Sequence, residues 1–109
     1  MWVYILRCGD GSYYTGMTVD PLRRLAEHQS GVVAGYTHSR RPVALVWSSS
    51  FGSRREAATV ERKIKGWSRA KKEALIRGDF DAIHDIVVAE RRRRERRRMS
   101  GQSEPPTSE

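Results

Sequence analysis

Two phenol groups lie on either side of a glycine-rich turn near the start of the chain. Tyr4 precedes the turn Gly-Asp-Gly, and Tyr14 follows it, ten residues further along. A phenol has a pKa of about 10, so it is a poor base at neutral pH unless neighbouring groups help it to move a proton. The two tyrosines could be ordinary strand residues, or they could serve proton-transfer chemistry.

A guanidinium and an imidazole follow within one predicted helix. Arg24 and His28 are four residues apart and therefore share one helix face. Arginine can hold a phosphate through two parallel hydrogen bonds, and histidine can relay a proton near neutral pH. We expect the buried side of this helix to be formed by Leu22, Leu25 and Ala26. The same spacing is also typical of a solvated helix face.

One carboxylate occupies an unusual position in the next predicted helix. Glu61 lies on the edge of an apolar stripe formed by Ala57, Val60, Ile64 and Trp67. A carboxylate that faces a core is costly unless it is paired or binds a metal ion. The alternative is a surface glutamate that pairs with Arg62 or Lys65.

The hydrophobic pattern predicts three strands, at residues 2–8, 12–18 and 43–50, and we expect the apolar third strand to be central. A two-residue hairpin loop would place the tyrosines on opposite faces of the sheet. A three-residue loop, Gly9–Gly11, pairs Tyr14 with Leu6 and places it on the same face as Tyr4. A shared site requires the second register.

Helix signals separate and follow the strands. Asp20-Pro21 starts a helix that stops at Gly31, and a capping box at Ser53 starts a second helix over residues 54–66. A third helix covers residues 69–77, and a last helix begins at Asp79 or Asp81. The order predicts an α+β fold, with a small three-stranded antiparallel sheet flanked by helices and an added basic C-terminal helix.

Size and charge place limits on the protein class. The chain has 109 residues and a net charge of +8, which suits one small basic domain. Residues 91–98 contribute seven arginines and one glutamate, a run that attracts polyanions or forms a solvated, frayed helix end. Residues 99–109 have a disordered composition. The single cysteine, Cys8, cannot form an internal disulfide, and we expect a cytoplasmic protein without a signal peptide or membrane span.

The candidate residues together resemble the GIY-YIG nuclease superfamily. Val3-Tyr4-Ile5 and Tyr14-Thr15-Gly16 are similar to the two halves of its signature, and Arg24, His28 and Glu61 follow in the matching order. Valine at position 3 replaces the usual glycine, and threonine at position 15 replaces the usual isoleucine. The resemblance covers residues 1–78 and is greatest to small, single-domain bacterial members. Residues 79–98 would be an added basic helix, and residues 99–109 a disordered tail.

The resemblance implies a metal-dependent endonuclease that hydrolyses DNA phosphodiester bonds. It implies that Glu61 is the direct protein ligand of one Mg²⁺ or Mn²⁺ ion, held weakly without substrate. It also implies that Tyr4 acts as the general base or passes the proton on, assisted by His28. Arg24 would hold the scissile phosphate, and Tyr14 would hydrogen-bond that phosphate or the attacking water. Structure selectivity and a role in DNA repair or recombination follow from the same resemblance.

Several further residues are candidate nucleic-acid contacts. Gly16 would let the nucleic-acid backbone come close because it has no side chain. The others are polar or basic residues of the later loop and helices: Arg23, Tyr36, Thr37, Arg40, Lys65, Arg69 and Lys72. We expect the partner to be branched or nicked DNA, with RNA as another candidate and a protein that targets the enzyme. The alternative function is a non-catalytic nucleic-acid-binding module, which could be associated with RNA or the ribosome.

Overall fold

A three-stranded antiparallel sheet forms the centre of the computed structural model, which describes residues 1–101. The strands are β1 (Trp2–Arg7), β2 (Tyr13–Thr18) and β3 (Ala44–Ser50), in the order β2-β1-β3. Helices flank the sheet, so the predicted α+β class is confirmed.

The central strand is β1, and the prediction that the third strand would be central is wrong. All four residues Val3–Leu6 are buried, because β1 has a neighbour on each side and helices over both faces. Most residues of β3 are only half-buried, because β3 lies at the edge of the sheet. An apolar run therefore shows that a strand is covered, but it does not show that it has two neighbours.

Four α-helices follow the predicted starts closely in the described part of the chain. Asp20, Ser53 and Ser68 each cap a helix by accepting a hydrogen bond from a backbone N–H in the first turn. Gly31 ends the first helix with a left-handed backbone, φ 84°. The helices are α1 (Pro21–Ser30), α2 (Arg54–Lys65), α3 (Arg69–Arg77) and α4 (Phe80–Gly101).

The two faces of the sheet carry separate cores. Val3 and Ile5 point to the face that packs against α2 and α3. Tyr4 and Leu6 point to the opposite face and pack with Leu25 of α1. Because side chains alternate along β1, the phenol group of Tyr4 lies on the face covered by α1.

Helix α1 turns a different side to the sheet than the sequence predicts. Leu22 is 72% exposed and Ala26 is also exposed, whereas His28 is only 1% exposed. The expected buried side is therefore wrong for Leu22 and Ala26, and of that set only Leu25 packs on the sheet. The imidazole of His28 therefore faces the sheet, while the apolar side chains of Leu22 and Ala26 face the solvent.

Helix α4 begins at Phe80, with Asp79 accepting a hydrogen bond from the N–H of Ala82. It continues to Gly101, three residues beyond the expected boundary at residue 98. The rest of the predicted disordered tail, residues 102–109, lies outside the described residues. None of the helices in residues 1–101 is both long enough and apolar enough to cross a bilayer.

Replacing Thr15 by valine should stabilise the fold. Thr15 is 3% exposed, and its hydroxyl has no hydrogen-bond partner among the described residues. Burial of an unpaired hydroxyl is costly, so Thr15→Val should raise the free energy of unfolding by about 1–2 kcal/mol in urea denaturation. The same change at exposed Thr59, whose hydroxyl donates to the Arg55 carbonyl, should give no such gain. A destabilised Thr15→Val variant would contradict this explanation.

Candidate active site

The Tyr4 phenol lies directly over a glycine of the neighbouring strand. Tyr4 is 2% exposed and sits opposite Gly16 in the β1–β2 pairing. A Cβ atom at position 16 would lie 2.6 Å from the phenol oxygen, so a larger residue would force the ring to move. The sequence suggested that Gly16 leaves room for a nucleic-acid backbone, but in the structure the space above it is filled by Tyr4.

The second phenol lies beside the first, as the three-residue hairpin loop predicts. Leu6 pairs with Tyr14, and the Cys8 N–H donates to the Ser12 carbonyl at 2.8 Å to close the loop. This register is confirmed. The Tyr14 ring centroid lies 6.4 Å from that of Tyr4 and 5.3 Å from that of His28. The two phenols and the imidazole therefore form one cluster.

A continuous chain of polar contacts runs from the phenol through the imidazole. The Tyr4 oxygen lies 3.1 Å from Nε2 of His28, and Nδ1 of His28 lies 2.7 Å from Oγ1 of Thr37. His28 and Thr37 are each 1% exposed. Both nitrogens of the ring are therefore engaged, and the ring can connect the phenol to a second hydroxyl.

The environment of Tyr4 favours the protonated phenol. Burial raises the pKa of Tyr4 above its usual value of 10.0, and the Arg24 guanidinium acts in the opposite direction without cancelling the effect. The neighbouring Tyr14 and Glu61 raise the pKa of Tyr4 further. The sequence suggested that neighbouring groups would favour either a phenolate or a proton relay, and the raised pKa speaks against the phenolate. Proton transfer through His28 remains available.

Arg24 is held between an acid and the phenol. Its Nη1 donates to Oε1 of Glu27 at 3.0 Å, and it also interacts with Tyr4. These contacts with Glu27 and Tyr4 raise the pKa of Arg24 above its usual value. The sequence analysis missed Glu27, although its spacing of three residues from Arg24 places both on one helix face.

Glu61 lies on α2 and acts on the Tyr4 phenol through its charge. Helix α2 packs on the opposite face, mainly against the edge strand β2, and the Tyr4 ring extends over β2 at Gly16. The Glu61 side chain is 21% exposed and pairs with Lys65 at 3.3 Å. Its negative charge contributes to the raised pKa of Tyr4.

The donor atoms near Tyr4 fit a hard cation that keeps most of its waters. In residues 1–101 there is no group of three or more histidine, cysteine or acidic side chains that could enclose a metal. One half-buried carboxylate beside a phenol suits Mg²⁺, which is bound through one or two carboxylates together with substrate phosphate. The ion pair of Glu61 with Lys65 is the surface alternative from the sequence, and the role of Glu61 as the single metal ligand stays a prediction.

An exposed aromatic residue and an arginine extend the cluster outward. The Tyr36 ring stacks on Tyr14 with centroids 6.0 Å apart, and the guanidinium carbon of Arg40 lies 3.9 Å from the Tyr36 centroid. Arg40 also pairs with Asp10 of the hairpin loop at 3.1 Å. Asp10 was not predicted as a site residue, and its sequence signal was only that of a turn.

Of three further predicted nucleic-acid contacts, two are at the surface and one is buried. Arg23 is 78% exposed near the cluster, and Lys65 pairs with Glu61. Thr37 is buried against His28, so its placement does not fit a surface contact with phosphate.

The predicted contacts on α3 lie away from the phenol cluster. Arg69 donates to the Gly11 carbonyl at 2.7 Å and pairs with Glu73, which accepts from Tyr13 on the opposite face of the hairpin. Arg69 therefore anchors the hairpin. Lys72 is half-buried, and burial lowers its pKa.

The fold and the residues of this cluster define a GIY-YIG catalytic domain. The family model of that description matches residues 1–74. The chain therefore belongs to the GIY-YIG family, whose domain implies nuclease activity in general.

The chain is similar to UPF0213 proteins and to a protein of known structure. The protein VNG_2274C of Halobacterium salinarum is 53% identical over 67% of this chain and 95% of its own length. A UPF0213 protein of Bacillus pumilus is 42% identical over 77% of this chain and 89% of its own length. The solution NMR structure of the protein EF2693 from E. faecalis is 39% identical, with a TM-score of 0.50 over 71% of this chain and 82% of that one.

The stability of the fold should depend on pH through His28. Burial, and next the positive charge of Arg24, lower the pKa of His28 below its usual value of 6.5. Below about pH 6.5 the unfolded chain binds a proton at His28 that the folded chain does not bind. The stability is therefore fully present above that pH and is lost as the pH falls from there through the lowered pKa.

A His28→Gln variant should flatten this dependence when urea midpoints are compared between about pH 7.5 and pH 5. The same change at exposed His84 of α4 is the control and should leave the dependence as it is. An unchanged pH dependence in His28→Gln would show that His28 is not the group responsible.

Proposed function

We propose that this protein is a metal-dependent endonuclease that hydrolyses DNA phosphodiester bonds, selects branched or nicked DNA, and acts in repair or recombination in the cytoplasm. The observation that carries the proposal is the arrangement around the Tyr4 oxygen. A histidine nitrogen lies 3.1 Å away, and the charges of Arg24 and Glu61 act on the pKa of the phenol in opposite directions.

The side chains supply a path for the proton of the attacking water. The water transfers a proton to the Tyr4 oxygen as its own oxygen bonds to phosphorus, and Tyr4 passes its proton to Nε2 of His28. The phenol is then never a free phenolate, which agrees with its raised pKa. His28, whose pKa is lowered by burial, is neutral at pH 7, so one of its ring nitrogens carries no proton and can accept one.

Phosphate binding falls to the groups beside this path. Arg24 is held in place by Glu27 and can donate parallel hydrogen bonds to phosphate oxygens as negative charge develops on them. Tyr14 lies next to Tyr4 and His28, where its hydroxyl can contact the same phosphate.

Glu61 would hold one divalent ion, Mg²⁺ or Mn²⁺, whose positive charge would stabilise the leaving oxygen. The Lys65 ammonium occupies the carboxylate in the absence of an ion and must be displaced or shared when one binds. This competition, together with the single protein ligand, supports weak binding of the ion when nucleic acid is absent.

The preference for branched or nicked DNA rests on the outer part of the cluster. Tyr36 is 40% exposed, and the Arg40 guanidinium lies over its ring. An arginine plane backed by an aromatic ring suits stacking by a base that is not held in a duplex. Such bases occur at branches, nicks and flaps. A protein partner that directs the enzyme to them is also part of the proposal.

Glu61→Gln should abolish metal-dependent cleavage while DNA binding survives. The change removes the charge that holds the ion but keeps the size of the side chain. Cleavage of a panel of branched, nicked and linear DNAs, with Mg²⁺, Mn²⁺ or EDTA, measures the first effect, and fluorescence anisotropy measures the second. The control is Glu95→Gln on the exposed part of α4, which should cleave normally.

The competing function is a nucleic-acid-binding module without turnover, on DNA, RNA or the ribosome. The observation that favours it is the arginine run of α4, which lies outside the matched residues 1–74. Consecutive helical residues point about 100° apart, so arginines at nearly every position leave no apolar face for packing. A wild-type protein that binds these substrates but cleaves none of them would favour this function.

Removing charge from α4 should weaken DNA binding and reduce its salt dependence. In a variant of the full chain, glutamine replaces the exposed arginines Arg91, Arg92, Arg96, Arg97 and Arg98. Each lost phosphate contact should reduce the slope of log K against log salt by about 0.9. An unchanged slope would show that α4 does not contact nucleic acid.

A further inference from the structure

We infer that Thr37 is a positioning residue, which fixes His28 in the tautomer whose Nε2 can accept the proton of Tyr4. This inference rests on the proposed function and assigns a role to a residue outside the signature. Thr37 lies in the loop between α1 and β3 and is 1% exposed, so its hydroxyl is turned into the protein. The hydroxyl oxygen lies 2.7 Å from Nδ1 of His28.

A neutral imidazole carries one proton, and its two nitrogens have opposite roles. If Nδ1 is protonated, it donates to Oγ1 of Thr37 and Nε2 is free to accept. If Nε2 is protonated, it donates to Tyr4 and cannot accept the phenol proton. The direction of proton transfer therefore depends on whether Nδ1 or Nε2 carries the ring proton.

The surroundings of Tyr4 select the first arrangement. A guanidinium can only donate hydrogen bonds, so Arg24 cannot accept the phenol proton. The phenol proton is then directed to another acceptor, and Nε2 of His28 lies 3.1 Å away. The single proton of the neutral ring is then on Nδ1, which donates a hydrogen bond to the Thr37 oxygen.

The loop holds Thr37 firmly enough to act in this way. The Arg40 N–H donates to the Thr37 carbonyl at 3.0 Å, and the Arg40 side chain donates to the Tyr36 carbonyl and pairs with Asp10. The backbone on each side of Thr37 is therefore tied to the hairpin. The loop orients the histidine as well as forming part of the surface.

The tautomer can be measured without any activity. Long-range proton–nitrogen NMR spectra of the wild type at neutral pH distinguish the protonated from the unprotonated ring nitrogen. His38→Gln and His84→Gln variants assign the His28 signals. An unprotonated Nε2 is the expected result, and a protonated Nε2 would overturn the inference.

Two substitutions separate the hydroxyl from the shape of the side chain. Thr37→Val keeps the shape and removes the acceptor, so His28 should lose its single tautomer and kcat should fall about 10- to 100-fold with little change in KM. Thr37→Ser keeps the hydroxyl and should show the single tautomer and the kcat of the wild type. The charged and titratable groups that face His28 are Arg24 and Glu27 of α1, Tyr4 of β1 and Tyr14 of β2, and all remain in these variants.

The control is Thr15→Val, the same change at a threonine that is buried on the opposite face of the sheet. This variant should cleave DNA like the wild type. A Thr37→Val variant with an unchanged tautomer and unchanged kcat would overturn the inference. If Thr37→Val does not fold, the wild-type and Thr37→Ser spectra still decide it. If no variant cleaves DNA, the proposed function fails, while the tautomer measurement decides the role of Thr37 separately.

Discussion

The contact between the Tyr4 ring and Gly16 is the constraint on which the rest of the site depends. Tyr4 starts on the central strand, and its phenol reaches outward only because the neighbouring strand has no side chain at that position. The phenol oxygen thereby reaches the edge strand β2 at Gly16. His28 and Arg24 approach from α1, and the charge of Glu61 acts from α2.

Burial of the phenol sets the chemistry that this arrangement can perform. A buried hydroxyl with a raised pKa does not ionise at neutral pH, so a mechanism based on a resident phenolate is disfavoured. A neutral imidazole on one side and a guanidinium on the other let the same hydroxyl accept one proton while it releases another. The Thr37 hydroxyl completes the line, and together these contacts explain why the loop after α1 packs so closely on the helix.

Much of the fold could be predicted because its signals are local. The caps Asp20, Ser53 and Ser68 marked helix starts, and the Gly-Asp-Gly loop allowed the register that places Tyr14 beside Tyr4. The strand order could not be predicted, because an apolar run is equally consistent with a central strand and with a covered edge strand.

The candidate site was only partly predictable from the sequence. Spacing along one helix brought Arg24 and His28 together, but it gave no sign that Leu22 would face the solvent. The sequence suggested Thr37 only as a nucleic-acid contact and gave no role to Asp10, since their contacts with His28 and Arg40 form only in the folded chain.

The central claim is that Tyr4, Gly16 and Glu61 surround one cation-dependent site at the edge of β2. The most direct measurement is a titration of the isotope-labelled protein with Mn²⁺ alone, which broadens the NMR signals of nearby nuclei. The account predicts that the signals of Gly16, Glu61 and the Tyr4 ring broaden first, and that Glu61→Gln prevents this. Broadening centred on other acidic residues, such as Glu73 or Asp79, with the Tyr4 ring unaffected, would contradict it.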